Sequence, residues 1–279
     1  MTANVEDNAD LAMESHTSCR NCPACDNSGA SPVAEYSPDP WQIASCDQCG
    51  FVFLRNPPEY EALEEEFAWE KTFAAKKKSS GKGSSPFSPV ARKIRKGLGM
   101  YRDKTSSFRR WFNDGHVLDI GCGGGGRITP PMTPYGIELS NQLHRHSDII
   151  MRQRGGFCLH GAGAEAIWGF DPEMFDGVVM HSYLEHETQV MKVLKGAHRA
   201  LKPGGGVFIR VPNYASLNRR VIGAKWCGFR YPDHVNYFTL HSLRDVAARA
   251  GFSCHLVNKI SLPVDDNISV LLRKPHSPN

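Results

Sequence analysis

The amino-acid sequence predicts an α/β protein in which a doubly wound, mostly parallel sheet follows a small cysteine-containing module. From residue 116 onward, short apolar segments and glycine turns alternate with helical stretches, as is typical of parallel α/β sheets. Before residue 58, four cysteines stand in two Cys-x-x-Cys pairs among turn residues. The 279 residues, 41% of them hydrophobic, are enough to bury one α/β core beside a small accessory module.

The order of these segments divides the chain into four regions. Residues 1–18 are predicted to be a disordered leader, and residues 19–58 form the cysteine module. Residues 59–112 are predicted to be a helical and basic linker region, whose first helix either packs on the sheet domain or covers its ligand as a lid. Residues 113–275 form the sheet domain. No apolar run approaches the roughly 18 residues of a membrane span, and the first residues lack a signal peptide, so we expect a cytoplasmic protein without a membrane partner.

Charge is distributed unevenly along the chain. Residues 1–70 contain fourteen acidic and two basic side chains, whereas residues 71–112 contain thirteen basic and one acidic. A basic stretch of this density could bind an anionic partner such as a nucleic acid or a nucleotide. It could equally be a solvated helix and linker. We therefore treat a nucleic-acid partner as possible but less favoured than a small molecule.

Five strands are predicted in the sheet domain. Each is an apolar segment bounded by turn residues, and together they cover residues 116–120, 134–139, 157–161, 175–181 and 206–212. The helix between the first two strands must be short, because residues 127–134 include three prolines.

The first strand runs into a glycine-rich turn, VLDIGCGGGG at residues 117–126. Glycines without side chains allow a ligand to lie against the backbone at the carboxyl end of a strand; the residues concerned are Gly121, Gly123 and Gly125. Asp119 is placed to orient the turn or to meet an amino group of the ligand, and Glu138 at the end of the second strand could bind ribose hydroxyls. The same glycines also fit a dinucleotide fingerprint, so this motif alone leaves a nicotinamide or flavin enzyme open.

Two later segments distinguish these alternatives. GFDPEMFDGVVMHSYLEHE (169–187) and ALKPGGGVFIRVPN (200–213) resemble the fourth-strand and fifth-strand signatures of class I S-adenosylmethionine (SAM)-dependent methyltransferases. The subgroup resembled is the ubiquinone-methyltransferase-like, type 12/23 group. The resemblance implies a Rossmann-like fold, SAM as cofactor and methyl transfer as the reaction.

The resemblance also implies roles for residues around the cofactor. Gly121 and Gly123 would pack against the methionine and ribose of SAM, with Asp119 near its amino group and Glu138 on its ribose. Such enzymes often place an acid near the adenine, where this chain has Gly163. The adenine is then expected on the Ala164 backbone, with Glu165 nearby. His181, at the end of the fourth strand, would line the mouth of the cofactor and acceptor site.

Two histidines are the candidates for acceptor chemistry. Methyl transfer requires a positioned acceptor and, for a hydroxyl, removal of a proton. His186 follows the fourth strand, and His234 lies in the polar and aromatic loop after the fifth strand. Some ubiquinone O-methyltransferases bind a divalent ion through Glu-x-x-Glu-His, but Ser182 stands where the first glutamate would be. No divalent ion is therefore predicted at this motif.

The cysteine pairs predict a structural zinc site. Two Cys-x-x-Cys turns can complete a tetrahedral shell around one ion, and the module is similar to a zinc ribbon; the predicted ligands are Cys22, Cys25, Cys46 and Cys49. Iron in a rubredoxin-like site is the minor alternative, and Cys19-x-x-Cys22 is a competing first pair.

The function predicted from the sequence is SAM-dependent methyl transfer to a small or carrier-linked acceptor, such as a sugar nucleotide, with oxygen favoured over carbon. An RNA methyltransferase that uses the zinc ribbon and the basic linker is the main alternative. A non-catalytic SAM-binding or zinc-scaffold interaction protein is a third hypothesis, and the dinucleotide oxidoreductase is disfavoured.

Overall fold

The computed structural model describes residues 19–58, 104–260, 262 and 265–276. The predicted leader at residues 1–18 and residues 59–103 of the predicted helical and basic linker region lie outside the described residues. Within the described part of the chain, no helix is long and apolar enough to cross a membrane.

The cysteine module folds into three short antiparallel strands, β1 (Ala30–Pro32), β2 (Ile43–Cys46) and β3 (Val52–Leu54). A single 3-10 turn at Ala34–Tyr36 joins the first two strands. Every residue of β3 is buried, so this strand is the apolar centre of the module.

The second sheet has seven strands in the order β10-β11-β8-β7-β4-β5-β6. These are β4 (His116–Ile120), β5 (Thr133–Glu138), β6 (Cys158–His160), β7 (Phe175–His181), β8 (Leu201–Pro212), β10 (Ser253–Leu256) and β11 (Asn267–Arg273). The five strands from β8 to β6 pair in parallel, and β10 and β11 extend the sheet antiparallel at one edge. The α/β, mostly parallel, Rossmann-like sheet is thus confirmed.

Six α-helices connect the strands in the described residues: α1 (Lys104–Phe112), α2 (Asn141–Arg152), α3 (Gly163–Ala166), α4 (Val190–Ala200), α5 (Leu217–Ile222) and α6 (Leu240–Arg249). Side-chain caps fix where α2 and α6 begin. The hydroxyl of Ser140 accepts a hydrogen bond from the Leu143 amide, and Thr239 and Ser242 form a reciprocal capping box.

The structure differs from the sequence expectation in three places. Residues 121–132, all of them described, contain no helix, because the glycine turn runs directly into the proline-rich segment. Strand β8 begins at Leu201 rather than at residue 206, and its register opposite β7 shifts between Leu201 and Gly206. Strands β10 and β11 were not predicted, although Ile268, Val270 and Leu272 alternate along β11 with the period of a strand.

The cysteine module is built into the rest of the protein. A two-residue strand from the sheet-domain part of the chain, β9 (Asn236–Tyr237), pairs antiparallel with β3 and forms the fourth strand of the module's sheet. The Phe51 ring packs edge-on against Phe238, with 5.2 Å between ring centroids. The boundary that we expect at residue 58 therefore separates two sheets but not two apolar cores.

Candidate functional site

The glycine turn after β4 adopts backbone conformations that favour glycine. Gly121, Gly123 and Gly125 have φ values of +69°, +56° and +73°. A Cβ atom on Gly125 would lie 3.0 Å from Cβ of Ser147, so the turn packs tightly against α2. Nothing lies within 4 Å of a Cβ built on Gly123. The turn therefore exposes bare backbone at the carboxyl end of β4, where α/β sheets bind ligands.

Asp119 is completely buried beneath this turn. Its carboxylate forms an ion pair with Arg127, at 3.2 Å between Nη1 and Oδ1. Burial raises the pKa of Asp119 to about 7, Arg127 opposes this change and the nearby Glu138 adds to it. A buried carboxyl with a pKa near neutrality is typical of a functional position, because burial of an ionised acid is costly.

Glu138 ends β5 beside the same turn. Its Oε2 accepts a hydrogen bond from the Gly123 amide at 2.7 Å, and its Oε1 accepts one from the Ser140 amide at 3.0 Å. The side chain is only 8% exposed. The structure thus brings together the predicted ribose-binding acid and the predicted cofactor glycines at one edge of the sheet.

The space beside Gly163 is filled by a tyrosine for which the sequence pattern predicts no role. A Cβ atom on Gly163 would lie 2.1 Å from the Tyr183 hydroxyl oxygen and 2.8 Å from a methyl carbon of Ile120. The Tyr183 hydroxyl donates a hydrogen bond to buried Glu187, whose Oε1 accepts from the Gln189 amide at 2.8 Å. Tyr183 also covers Gly121, where a Cβ atom would lie 3.1 Å from its Cδ2. Position 163 is therefore glycine because the phenol of Tyr183 occupies the place of a side chain.

The other residues predicted to line the cofactor differ in their surroundings. Ala164 is buried at the start of α3, and His181 ends β7 in register with Arg210 of β8. The Glu165 side chain is 57% exposed, pairs with Lys192 of α4 and accepts a hydrogen bond from Gln189 at 3.1 Å. This surface pairing argues against a contact between the Glu165 carboxylate and adenine; the roles of all three residues stay predictions.

The two predicted catalytic histidines lie side by side. Their ring centroids are 4.7 Å apart, and the rings are nearly perpendicular. Nδ1 of His186 is 2.8 Å from the Asp233 carbonyl oxygen, and Nδ1 of His234 is 2.8 Å from the Gly228 carbonyl oxygen. Because a carbonyl only accepts hydrogen bonds, both Nδ1 atoms carry the proton, and a neutral ring then has its lone pair on Nε2. Burial, together with the neighbouring His234 and Arg230, lowers the pKa of His186 to about 3, although the hydrogen bond to the Asp233 carbonyl opposes this change.

A cavity of about 300 Å³ opens beside these histidines. Its walls combine charged and polar groups, among them Ser182, Arg230, Asp266 and Asn267. A cavity of this size and lining, at the carboxyl ends of β7 and β8, is suited to a small polar ligand.

Glu185 forms a possible cation site with the two histidines. One ligand atom from each of Glu185, His186 and His234 lies within 4.8 Å of the others. Glu185 Oε2 is buried and has no hydrogen-bond partner within the described part of the chain, and burial raises the pKa of this carboxyl to about 8. Two imidazoles whose Nδ1 atoms are hydrogen-bonded to carbonyls, together with one carboxylate, suit a divalent transition metal. His234 offers a third donor atom beside Glu185 and His186, which the sequence motif lacks because Ser182 replaces its first glutamate.

The four predicted zinc ligands lie together in the cysteine module. The four cysteine sulfurs all lie within 4.8 Å of one another. The sulfurs of Cys22 and Cys49 are 3.6 Å apart, and those of Cys25 and Cys46 are 3.5 Å apart. A tetrahedral zinc with bonds of about 2.3 Å would place its sulfurs about 3.8 Å apart. The donor set therefore fits zinc, whereas Cys19 is exposed and lies outside the cluster.

Comparisons with known proteins support this description. Residues 86–257 match a family described as "Methyltransferase domain". The chain is 30% identical over 151 residues to a ubiquinone biosynthesis O-methyltransferase of Paraburkholderia phymatum, a match that covers 48% of this chain and 63% of the relative. It is 27% identical over 184 residues to the enzyme of the same name from Ralstonia nicotianae, covering 58% of this chain and 77% of the relative. The chain spans between 45% and 63% of the length of the first three such relatives.

Solved structures of similar fold include proteins described as SAM-dependent methyltransferases. A SAM-dependent methyltransferase from Methanosarcina mazei matches with a TM-score of 0.47 and 16% identity over 63% of this chain and 100% of that one. A SAM-dependent methyltransferase from Thermotoga maritima matches with a TM-score of 0.45 and 20% identity over 67% of this chain and 98% of that one. The family match covers more than half of the sequence. The chain therefore belongs to the methyltransferase domain family of class I SAM-dependent methyltransferases.

Proposed function

We propose that this chain transfers the methyl group of SAM to an oxygen atom of a small or carrier-linked acceptor. The observation that carries the proposal is the pairing of two features at one edge of the sheet. One is a bare glycine turn flanked by the buried acids Asp119 and Glu138. The other is a polar cavity beside two histidines whose Nδ1 atoms are tied to backbone carbonyls.

The glycine turn provides the cofactor end of this site. SAM would lie on the backbone of Gly121 and Gly123, with its ammonium group toward Asp119 and its ribose hydroxyls toward Glu138. A carboxylate and an ammonium group form a charge-assisted hydrogen bond, which gains strength from the buried surroundings. The adenine would approach the backbone of Ala164.

The histidines provide the acceptor end. Methyl transfer is a displacement at the activated methyl carbon of SAM, so the protein must mainly align the acceptor oxygen and take its proton. His186 is neutral at physiological pH because of its lowered pKa, and His234 stands beside it. Either ring can accept a hydrogen bond from an acceptor hydroxyl through Nε2. A cation held by Glu185 and the two histidines would instead occupy both Nε2 lone pairs, and it would supply Lewis-acid chemistry that lowers the pKa of an acceptor hydroxyl.

Oxygen is favoured as the methylated atom because the matching relatives are named as O-methyltransferases. A nucleic-acid acceptor remains the alternative prediction, since most of the basic stretch that motivates it lies outside the described residues. Cytoplasmic location is likewise still an expectation.

The test is calorimetric titration of the full chain with S-adenosylhomocysteine (SAH) and, separately, with NAD. SAH should bind and NAD should not. Gly121→Val should weaken SAH binding because its side chain would strain the turn and meet Tyr183, and Glu138→Ala should weaken it by removing the ribose contacts. Gly126→Ala is the matched control, since nothing lies within 4 Å of a Cβ built there. Tight NAD binding without SAH binding would refute the proposal.

A further inference from the structure

The loop that carries His234 is held in place by the cysteine module. Strand β9 begins two residues after this histidine, and it pairs with β3 through the register Val52 to Tyr237 and Phe53 to Asn236. Beside this pairing, the amide of Leu54, the last residue of β3, donates a hydrogen bond to the carbonyl of Val235, which precedes β9, at 2.9 Å. The backbone immediately after His234 is therefore part of the module's own sheet.

Arg20 joins the same two segments through its side chain. Its Nε donates to the Leu54 carbonyl at 2.9 Å, and its Nη2 donates to the Val235 carbonyl at 2.6 Å and to Asn236 Oδ1 at 3.0 Å. Arg20 lies two residues before the predicted zinc ligand Cys22. Loss of order at the cysteines would thus displace this bridging side chain.

Aromatic contacts secure the residues before His234. The Tyr36 ring of the module stacks on Phe229, with 4.7 Å between ring centroids, and the Tyr231 hydroxyl donates to the Tyr36 carbonyl at 2.5 Å. Trp226 packs in the same cluster as buried module residues from β2 and β3. Both flanks of His234 therefore rest on residues that precede position 58.

The opposite side of this loop positions the histidine pair. The amides of Val235 and Asn236 donate to the Glu185 carbonyl at 2.8 and 3.1 Å. The Asn236 side-chain amide donates to the carbonyls of Leu184 at 2.7 Å and Glu187 at 2.6 Å. The loop around His234 is thus hydrogen-bonded to the module on one side and to residues 184–187 on the other, and these contacts hold His234 beside His186.

We propose that the zinc-bound cysteine module is the support of the acceptor half of the site, so that zinc controls the order of residues 226–238 while the cofactor half folds without it. A module of about forty residues cannot bury enough apolar surface to stay ordered without its metal. The cofactor glycines follow β4, and Glu138 ends β5. These two strands share apolar packing with the module but make no strand pairing with it. The inference rests on the zinc assignment and on the proposed acceptor role of His234.

The test is hydrogen–deuterium exchange, read by mass spectrometry on the full chain before and after zinc is removed with a chelator. Exchange should rise in residues 30–54 and 226–238 and stay low in residues 116–138 and 201–212. The Cys46→Ser variant should behave like the chelated protein, and Cys19→Ser should behave like the untreated one. SAH binding should change by less than about threefold in all of them, since local opening leaves the remaining sheet folded.

A second variant keeps the inference testable if Cys46→Ser fails to fold. Arg20→Met removes the bridging guanidinium but none of the four cysteines, so it should retain zinc while exchange rises in residues 226–238. Protection of residues 226–238 that survives in zinc-free protein and in Arg20→Met would overturn the inference. A protein that binds no zinc as purified would also overturn it. Failure of SAH to bind would instead contradict the proposed function and would leave the exchange result unaffected.

Discussion

The ionisation of Asp119 should govern the pH dependence of cofactor binding. Burial raises the pKa of this carboxyl from 3.8 to about 7. The folded protein therefore holds the proton more tightly than the unfolded chain does. The stability that the neutral carboxyl contributes is complete below about pH 4 and is lost as the pH rises through 7. The pKa difference corresponds to about 4 kcal/mol at 1.36 kcal/mol per pKa unit.

The affinity for the cofactor should instead rise with pH, opposite to the contribution of Asp119 to stability. An ammonium group at Asp119 favours the ionised carboxylate, so the ligand binds best where that form is already present. Below pH 7 the ionised fraction falls about tenfold per pH unit, which predicts an SAH affinity about 30-fold higher at pH 8 than at pH 5.5.

Calorimetric titration with SAH across this pH range measures the effect. Asp119→Asn should give a nearly flat profile, because the amide does not titrate. Asp245→Asn is the control, since Asp245 pairs with Arg249 on the surface of α6 and should leave the profile unchanged. A 30-fold rise that persists in Asp119→Asn, or a wild-type affinity that falls as pH rises, would show that another group controls binding.

Three further predictions follow from the structure. The purified chain should contain about one zinc by elemental analysis, which Cys22→Ser should reduce and Cys19→Ser should not, because only the former removes a cluster sulfur. Gly163→Asp should lower the free energy of unfolding by about 1–3 kcal/mol or more through overpacking, and Tyr183→Val in the same chain should restore much of the loss. Co²⁺ should bind to zinc-loaded protein with a visible absorption band, and His234→Ala should abolish this band by removing one donor.

A specific result would contradict each of these three predictions. Full zinc content in Cys22→Ser would mean that the ligands are assigned wrongly. Additive losses from Gly163→Asp and Tyr183→Val, measured by urea unfolding, would mean that the two side chains do not compete for one space. An unchanged cobalt band in His234→Ala would place the cation elsewhere.

Local patterns were sufficient to predict the sheet and the cofactor edge. Strands β4 and β7 have the predicted bounds, because each is mostly buried and apolar and its end is marked by glycine or by a change to polar residues. The glycine turn was predictable for a similar reason, since positive φ values favour one residue type.

Long-range contacts could not be predicted in the same way. Strand β9 has two residues and no periodicity of its own, and it becomes a strand only because β3 offers it a partner. The donor set around Glu185 was missed because His234 returns to it from a distant loop. The sequence shows only that Gly163 stands where related enzymes often have an acid, whereas the structure shows that Tyr183 occupies the space of its side chain. In each case the decisive neighbour is remote in sequence.

The pairing of β3 with β9 also has a consequence for the order in which the protein folds. During synthesis the ribosome releases residues 52–54 long before residues 236–237, so the module's sheet waits for its final strand until most of the chain has emerged. Closing so large a loop is slow, because the entropy loss comes before the contacts that offset it. Until then β3, which is entirely buried in the finished protein, presents an open apolar edge of the kind that promotes aggregation. A strand that is synthesised early is thus paired late, and the nascent chain leaves the edge of β3 open until residues 236–237 have emerged.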